Sequence, residues 1–302
     1  MKKKIRASVK TVNATAPKLP FPAQHQRAPG LESKLRPAPL WHGRHYRAAG
    51  KLMDKVALIT GGDSGIGRSV AFFYAREGAD VAISYLPEEQ SDAVVTQRSV
   101  EALGRACLLL PADLTKASSA AQLVKATMKE FGKLDILVSN AAYQAHKDSI
   151  EDVTDAELAL TYETNVYAMF RLVRAALPHM KAGGAIIATS SVTGILGSEG
   201  LPDYSSTKGA INALVKSLAI ELISRGIRVN AVAPGPVWTP LNPSDAGRTA
   251  SEVATFGKDS PMKRPAQPEE LAPAFVFLAS DGDASYITGT VLQVMGGETA
   301  GG

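Results

Sequence analysis

The sequence predicts an α/β fold, a doubly wound parallel sheet of about seven strands flanked by helices. Two observations lead to this prediction. From residue 55 onward, short runs of apolar residues alternate with longer stretches of helical periodicity. A glycine-rich turn at residues 60–67 directly follows the first apolar run. Strands that alternate with helices of this length need crossover connections, and right-handed crossovers make neighbouring strands parallel.

The apolar runs are short enough to be strands buried on both faces of a sheet. The predicted strands cover residues 56–60, 81–84, 106–110, 136–138, 185–189, 227–232 and 291–294. The clearest helical stretches cover residues 66–76, 155–180, 205–224 and 268–279. We therefore expect one catalytic domain over residues 51–302, preceded by an N-terminal arm over residues 1–50.

The composition restricts the class of protein. A chain of 302 residues with 45% hydrophobic residues can bury a sizeable core. The single cysteine, Cys107, excludes an internal disulfide framework and a cysteine-built zinc site. No run of 18 apolar residues occurs, and the five histidines lack the spacing of metal ligands. We therefore expect a cytoplasmic globular protein without a membrane span or a metal.

The arm is rich in proline and basic residues. Residues 1–50 carry 11 Lys and Arg but one acid, Glu32, whereas the rest carries 22 Lys and Arg against 28 Asp and Glu. The net charge of +4 therefore describes the arm, and no nucleic-acid partner is expected for the body. The arm could contact an anionic surface, or it could pack on its own or a neighbouring subunit. The cluster of Trp41, His42, His45 and Tyr46 favours packing.

The glycine-rich turn contains Gly61, Gly65 and Gly67, separated by three residues and then by one. Glycine lets the backbone turn sharply and approach a phosphate without a Cβ clash. The N-terminus of the helix that follows supplies N–H donors and the positive end of a dipole. Glycines at a tight turn also serve packing alone, but their place after the first strand favours nucleotide binding.

Tyr204 and Lys208 are four positions apart at the start of a predicted helix, so their side chains share one face. A tyrosine with its ordinary pKa of about 10 exchanges protons poorly near neutrality, and a nearby cation favours its phenolate form. The pair alone decides nothing, because about 0.5 such pairs are expected by chance in a chain of this composition.

Ser191 and Asn165 supply the context for that pair. Ser191 follows the fifth predicted strand, where loops present functional groups at the carboxyl edge of the sheet. Asn165 lies in a predicted helix, where an asparagine side chain competes for the hydrogen bonds of the backbone and is unfavourable. Its presence there therefore suggests a role other than helix formation. Residues 234–239 form a proline-rich turn after the sixth strand that can face the same pocket. The Gly-x-Ser-x-Gly elbow of many hydrolases does not surround Ser191.

In order and spacing, these motifs resemble the short-chain dehydrogenase/reductase family over about residues 51–297. The resemblance implies a Rossmann-type fold, NAD or NADP as cofactor, and a small alcohol or carbonyl compound as substrate. It also implies a homotetramer, in which we expect the arm to cross onto a neighbour. The form of the glycine turn, together with the arm, resembles one bacterial subgroup of the family.

The resemblance further implies the residues that hold the cofactor. The glycine turn would bind the pyrophosphate, Asp113 and Leu114 would edge the adenine, and Val237 and Thr239 would bind the carboxamide. Residues 139–142 read Ser-Asn-Ala-Ala where the family usually has Asn-Asn-Ala-Gly. The full implied cofactor set is Gly61, Asp63, Ser64, Gly65, Ile66, Gly67, Ser84, Tyr85, Asp113, Leu114, Asn140, Ala141, Ala142, Tyr204, Lys208, Pro234, Gly235, Val237 and Thr239.

Four residues are implied for catalysis by the same resemblance. Tyr204 would be the general acid/base, and Ser191 would orient the substrate oxygen. Lys208 would lower the tyrosine pKa and bind the nicotinamide ribose, with an oxidised nicotinamide ring as a second positive charge. Asn165 would hold a water that relays protons to Lys208.

The choice between NAD and NADP has arguments on both sides. The end of the second predicted strand, Ser84 and Tyr85, carries no acid, which permits a 2′-phosphate. Arg68 is the nearest candidate cation for that phosphate. Asp63 could repel it or accept a ribose hydroxyl, or it could merely cap the helix or brace the turn. We therefore expect dual use, with less than about a hundredfold preference.

Two other functions are compatible with parts of the sequence. One is a catalytically silent scaffold that senses a dinucleotide, although the loss of a catalytic residue would be its expected mark. The other is a binder of anionic surfaces through the arm, which would show steep salt dependence abolished by deleting residues 1–50. Residues 240–264, which we expect to cover the pocket, do not reveal the substrate.

Overall fold

One sheet of seven parallel strands runs through the protein, of which the computed structural model describes residues 16–299. The strands are β1 (Val56–Thr60), β2 (Asp80–Tyr85), β3 (Cys107–Pro111), β4 (Ile136–Ser139), β5 (Ala185–Thr189), β6 (Arg228–Pro234) and β7 (Val291–Val294). Their order across the sheet is β3-β2-β1-β4-β5-β6-β7. The predicted doubly wound sheet is confirmed. Its order reverses between β1 and β4, where diverging loops leave a crevice at the carboxyl edge.

Helices cover both faces of the sheet. They are α1 (Gly65–Arg76), α2 (Gln90–Glu101), α3 (Ser119–Phe131), α4 (Asp155–Tyr162), α5 (Ala168–Ala176), α6 (Thr193–Leu196), α7 (Pro202–Leu222), α8 (Ala250–Ala254), α9 (Pro268–Ala279) and α10 (Asp281–Ala284). One face packs on α1, α2 and α9 through a core that includes Phe73 and Phe275. The other face packs on α3, α5 and α7 through a core that includes Leu172 and Val215. The strands therefore lie between two apolar layers, as their sequence pattern predicts.

The helix predicted over residues 155–180 is not continuous. Between α4 and α5, Glu163–Tyr167 form a π-helical turn that contains Asn165. The Asn165 side chain accepts a hydrogen bond from the Tyr143 N–H at 2.8 Å and donates one to the Tyr143 carbonyl at 2.9 Å. Apolar periodicity does not reveal such a turn, because one wider turn leaves the pattern on both sides intact. Turns of this kind are frequent at functional sites.

The arm packs along the body of its own chain. Phe21 and Leu35 are buried in a cluster with Trp238, and the rings of Phe21 and Trp238 lie 4.6 Å apart between centroids. The Trp238 indole N–H donates a hydrogen bond to the Pro37 carbonyl at 2.9 Å. Residues 16–50 therefore pack on the body of their own chain, and a contact of the arm with a neighbouring subunit stays a prediction. The physical reason is that their apolar side chains find a complementary surface on the same body.

Deleting residues 1–40 is expected to lower the free energy of unfolding by at least about 3 kcal/mol. The deletion exposes the apolar surface that Phe21 and Leu35 cover, and it removes the buried partner of Arg68, Glu32. Calorimetry should show a Tm at least about 6 °C below that of the full chain. An unchanged Tm would contradict a stabilising role of the arm.

Candidate active site

A cleft of about 1050 Å³ opens at the carboxyl edge of the sheet, where the strand order reverses. It is at the upper end of the size range of cofactor and small-molecule sites. All residues that the sequence predicts for the site line this cleft except Gly67 and Asn165. The fold thus brings together residues as distant in sequence as Gly61 and Thr239.

The glycine turn between β1 and α1 forms one wall of the cleft. Gly61 and Gly65 have φ values of +62° and +52°, a left-handed conformation that favours glycine. A Cβ on Gly65 would lie 3.0 Å from the Thr239 methyl group, so the turn closely approaches the loop after β6. A Cβ on Gly67 would lie 1.9 Å from the Gly61 carbonyl oxygen. Gly67 therefore serves packing behind the turn, and the other two glycines shape the cleft.

Two buried polar atoms beside this turn have no hydrogen-bond partner among the described residues: Asp63 Oδ2 and Ser84 Oγ. Both residues line the cleft. Burial raises the pKa of Asp63 to about 6. Unpartnered buried polar atoms are costly, so this end of the cleft fits a ligand that offers hydroxyl groups, such as the adenine ribose of a dinucleotide.

A second acid, Glu89, lines the same end of the cleft. It follows β2 by four residues, and its carboxylate folds back to accept a hydrogen bond from the Leu86 N–H at 2.9 Å. Burial and, to a smaller extent, the negative charge of Asp63 raise the pKa of Glu89 to about 8. From Ser84 and Tyr85 alone we expected no acid at the end of β2. Glu89 places one there. A single 3-10 turn over Pro87–Glu89 returns the Glu89 carboxylate to the cleft.

Arg68 is buried and cannot serve as the cation for a 2′-phosphate, which corrects a further expectation. Its guanidinium forms an ion pair with Glu32 at 2.5 Å and donates hydrogen bonds to the carbonyls of Asp63 and Asp92 at 2.7 and 3.0 Å. Its side chain is 5% exposed and that of Glu32 is 3% exposed. Glu32 therefore pairs with the guanidinium of Arg68, the cation that we had considered for the 2′-phosphate of the cofactor.

Asn140 fixes the floor of the cleft where three strands end. Its side-chain nitrogen donates to the Thr60 carbonyl at 3.0 Å, and its side-chain oxygen accepts from the Thr189 hydroxyl at 3.0 Å. These contacts join the ends of β1, β4 and β5. Ala141 and Ala142 continue along the cleft. The departure from the family motif therefore leaves the asparagine that connects the strands in place.

Tyr204 and Lys208 lie on the buried face of α7, as their spacing predicts. They are 8% and 2% exposed, and the Lys208 Nζ lies 5.3 Å from the centroid of the Tyr204 ring. Lys208 donates a hydrogen bond to the Thr189 carbonyl at 2.8 Å, which directs its ammonium group to the end of β5. The helix therefore presents a phenol and an amine together at one end of the cleft.

Burial determines the proton affinity of both groups. It raises the pKa of Tyr204 to about 12, against a hydrogen bond with Ser191 that lowers it. It lowers the pKa of Lys208 to about 7. The protein groups alone therefore leave the tyrosine pKa high, and its lowering by Lys208 together with an oxidised nicotinamide ring stays a prediction. The reason is that the loss of water outweighs a cation held 5.3 Å from the ring.

Ser191 lies in the loop after β5 and is 8% exposed. Its hydroxyl oxygen accepts hydrogen bonds from the Thr193 N–H and hydroxyl, both at 3.1 Å, and it also bonds to Tyr204. Asn165 lies behind these residues, and its amide also donates to the Thr207 hydroxyl of α7 at 3.1 Å. The Asn165 side chain thus joins the π-helical turn, the loop after β4 and α7.

The turn after β6 closes the cleft on the remaining side, as predicted. Pro234, Gly235, Val237 and Thr239 all line it. A Cβ on Gly235 would lie 2.9 Å from the Met295 carbonyl oxygen, so glycine is needed for this close approach. The turn therefore stands opposite the glycine turn, with Gly65 in contact range of Thr239.

A polar cluster in the cleft was not expected from the sequence. The His146 Nδ1–H donates a hydrogen bond to the Asp245 carboxylate at 2.5 Å, and its Nε2 accepts one from an Arg248 nitrogen at 2.7 Å. Gln144 donates to the same Asp245 carboxylate at 2.9 Å. These residues come from two loops about a hundred positions apart, so no local spacing could have shown them. They give this part of the cleft a polar lining.

Over residues 16–299, no group of three or more His, Cys, Asp and Glu side chains is arranged to hold a metal ion. No helix within the same range is long and apolar enough to cross a membrane.

Comparisons with known proteins agree on one family. The family model described as enoyl-(acyl carrier protein) reductase matches residues 61–299. The chain is 51% identical over 275 residues to the uncharacterized oxidoreductase YhdF of Bacillus subtilis, covering 91% of this chain and 94% of that protein. It is 44% identical over 288 residues to the glucose and ribitol dehydrogenase of Daucus carota, covering 93% and 98%. A short-chain dehydrogenase from Burkholderia cenocepacia, solved in complex with NADP, has a TM-score of 0.74 and 31% identity over 82% of this chain and 98% of its own.

The resemblance of the glycine turn and the arm to one bacterial subgroup stays a prediction. The family itself is shown by a match over most of the chain and by relatives aligned over nearly their full length. The chain belongs to the short-chain dehydrogenase/reductase family and is an oxidoreductase with an NAD(P)-binding Rossmann fold.

Proposed function

We propose that the protein interconverts an alcohol and a carbonyl compound by hydride transfer with NAD or NADP. One observation carries this proposal: Ser191, Tyr204 and Lys208 meet at one end of a cleft whose other end offers the unpartnered atoms of Asp63 and Ser84. The cleft is continuous, so one ligand can contact both ends. The NADP complex of the Burkholderia relative and the name of the carrot relative, a dehydrogenase of glucose and ribitol, support the same reaction class.

In this proposal the cofactor, which supplies the hydride chemistry when bound, is held along the whole cleft. Asp63 and Ser84 bind the adenine ribose, and the glycine turn with the N-terminus of α1 binds the pyrophosphate. Lys208 binds the nicotinamide ribose, while Val237 and Thr239 bind the carboxamide. Asp113 and Leu114 edge the adenine, and Asn140, Ala141 and Ala142 form the floor.

The residues of the chain perform the proton transfer. Ser191 orients the substrate oxygen through its hydroxyl, and Tyr204 donates a proton to that oxygen in the reductive direction. Burial keeps the Tyr204 pKa high, so the phenol is protonated and ready to donate at neutral pH. In the oxidative direction the phenol must lose its proton, and the positive charges of Lys208 and an oxidised nicotinamide ring favour that loss.

Asn165 takes part in proton relay through its backbone in this scheme. Both side-chain atoms of Asn165 are engaged, with Tyr143 and Thr207. A relay water leading to Lys208 would therefore be held by the Asn165 carbonyl within the π-helical turn. The side chain acts by fixing the position of that turn against α7.

A substrate screen tests the proposed reaction. Polyols, sugars, aldehydes and ketones would be tested with NAD(H) and NADP(H), and turnover followed by the nicotinamide absorbance. We expect the most active compounds to be polar, because Gln144, His146 and Arg248 line the cleft. Saturable dinucleotide binding without turnover of any compound would contradict the proposed reaction and favour a silent scaffold.

Cofactor preference should depend on the two acids at the adenosine end. At pH 9, where both carboxyl groups are ionised, Asp63→Ser and Glu89→Gln are each expected to shift the ratio of kcat/KM for NADP over NAD toward NADP by about tenfold, because each removes a negative charge that repels a 2′-phosphate. Glu88→Gln is the matched control, since Glu88 is exposed and does not line the cleft. Steady-state kinetics with both cofactors measures the ratio. A strict NADP enzyme whose preference ignores Asp63 would show the reasoning to be wrong.

We also propose that the protein is a homotetramer. Large apolar side chains stay exposed on α5 and at the end of α7: Phe170 is 45% exposed, Ile220 75% and Ile223 60%. The homotetramer itself is what the family resemblance implies, and apolar side chains exposed on these two helices fit contacts between subunits. Light scattering at micromolar concentration should give four times the mass of the chain. A monomer mass would contradict the proposal.

A further inference from the structure

The arm reaches the cleft that holds the proposed dinucleotide site. Ala28, Pro29 and Gly30 form part of the wall of the same cavity that the glycine turn lines. Gly30 is buried and Pro29 is half-buried. None of the three carries a polar side chain, so they form a small apolar wall. Deleting the arm therefore removes part of the wall of the cleft.

On one side, Glu32 attaches this wall to the glycine turn. Its carboxylate accepts a hydrogen bond from the Gly65 N–H at 2.6 Å and forms the ion pair with Arg68 of α1. The Glu32 N–H donates in turn to the Asp92 carboxylate at 2.6 Å. The Glu32, Arg68 and Asp92 side chains are 5% exposed or less. Such buried, charge-assisted contacts hold the arm in one position relative to the turn.

On the other side, the arm contacts the segment after β6. The Gln26 N–H donates to the Pro243 carbonyl at 2.7 Å. A Cβ on Gly30 would lie 2.8 Å from the Pro240 carbonyl oxygen and 3.0 Å from the Ser244 Cβ. Pro240 and Ser244 also line the cleft. The arm therefore spans the space between the glycine turn and the loop that faces it.

We propose that residues 28–32 of the arm are a binding element of the dinucleotide site, which encloses the middle of the bound cofactor and slows its release. The inference rests on the proposed function, because it assumes that the cofactor lies along the glycine turn. A ligand enclosed between the turn, the arm and the loop after β6 leaves only when one wall moves. Moving the arm breaks the buried contacts of Glu32, so the arm acts mainly on the dissociation rate.

Hydrogen exchange of the full chain with and without NADPH is the first test. We expect added protection both in the glycine turn, residues 61–67, and in the arm, residues 26–32. Protection of the turn without any change in the arm would overturn this inference and leave the proposed function intact. Absence of protection in both, at NADPH and NADH concentrations up to the millimolar range, would overturn the proposed function as well.

Release kinetics of the same full-length protein are the second test. Glu32→Gln keeps the size of the side chain and an acceptor for the Gly65 N–H, but it removes the charge that pairs with Arg68. We expect NADPH to dissociate at least about tenfold faster in stopped-flow displacement. Glu269→Gln is the matched control. Glu269 also holds the arm, through the Gly43 N–H at 2.8 Å, but this contact lies outside residues 28–32 and does not reach the glycine turn.

Gly30→Ala keeps the test decisive if Glu32→Gln does not fold. The added Cβ forces the arm away from Pro240 without removing any charge, so NADPH should again dissociate faster. Folded Gly30→Ala and Glu32→Gln proteins that release NADPH at the rate of the unaltered chain would overturn the inference. Equal acceleration by Glu269→Gln would also overturn it, because general loosening of the arm would then explain the effect.

Discussion

Tyr204→Phe is expected to fold and bind the dinucleotide normally, yet to lose at least about a hundredfold in turnover. The substitution removes the phenolic hydroxyl and leaves the ring that packs on α7 in place. The hydroxyl is the proposed proton donor, it is bonded to Ser191, and it faces the cleft. Steady-state kinetics on the best substrate of the screen measures turnover, and a binding titration with NADPH measures the affinity.

Tyr74→Phe is the matched control for Tyr204→Phe. Tyr74 is also buried, and its hydroxyl donates to the Phe275 carbonyl at 3.1 Å in the core between α1 and α9. Its loss should cost about 1 kcal/mol of stability and leave turnover unchanged. Unchanged activity in a folded Tyr204→Phe protein would refute the assignment of Tyr204 as the acid/base.

Lys208→Met is expected to reduce turnover and, in addition, to weaken dinucleotide binding by at least about tenfold. Methionine fills a similar volume but provides neither the positive charge near Tyr204 nor a donor for the nicotinamide ribose. The two effects should therefore separate the variants: Tyr204→Phe changes turnover alone, whereas Lys208→Met changes both quantities. Cofactor affinity unchanged in a folded Lys208→Met protein would contradict the ribose contact.

The pH dependence of stability gives an independent test of the same lysine. Burial lowers the pKa of Lys208 to about 7, below its ordinary value of about 10. Between these pH values the unfolded chain binds more protons than the folded chain, so the contribution of Lys208 to the free energy of unfolding rises with pH. Lys208→Met removes this contribution. Urea unfolding at pH 7, 8 and 9 should show the unaltered chain gaining stability relative to the variant, and parallel profiles would contradict the burial of an amine.

Local patterns were sufficient to predict the elements that build the sheet. Strands β5 and β7 have the predicted bounds, and the helix over Pro268–Ala279 does as well. Each is defined by a pattern among residues close together in the sequence. Continuous apolar runs define the buried strands, and helical periodicity after a proline defines the helix. The cleft at the carboxyl edge followed from the alternation of strands and helices, because parallel topology places the ends of all strands on one side.

Long-range electrostatics could not be predicted in the same way. Arg68 was a reasonable partner for a phosphate from its place after the glycine turn, but Glu32, 36 positions earlier, pairs with it. The high pKa of Tyr204 in the chain by itself could not be predicted either, because burial, and not the neighbouring cation, dominates it. Both outcomes depend on how much water each group loses, which is a property of the packed structure.

Residues close together in the chain determined three features: the order of strands and helices, the glycine turn, and the pair of Tyr204 and Lys208. Their conformations depend on local backbone preferences and on apolar periodicity, which the sequence carries directly. Only the tertiary structure decided where the arm lies and that Glu32 pairs with Arg68. It also decided that Glu89 and His146 line the cleft and that Asp245 holds the His146 ring. These features join distant segments, and the free energy of each contact depends on burial that exists only once the chain has folded.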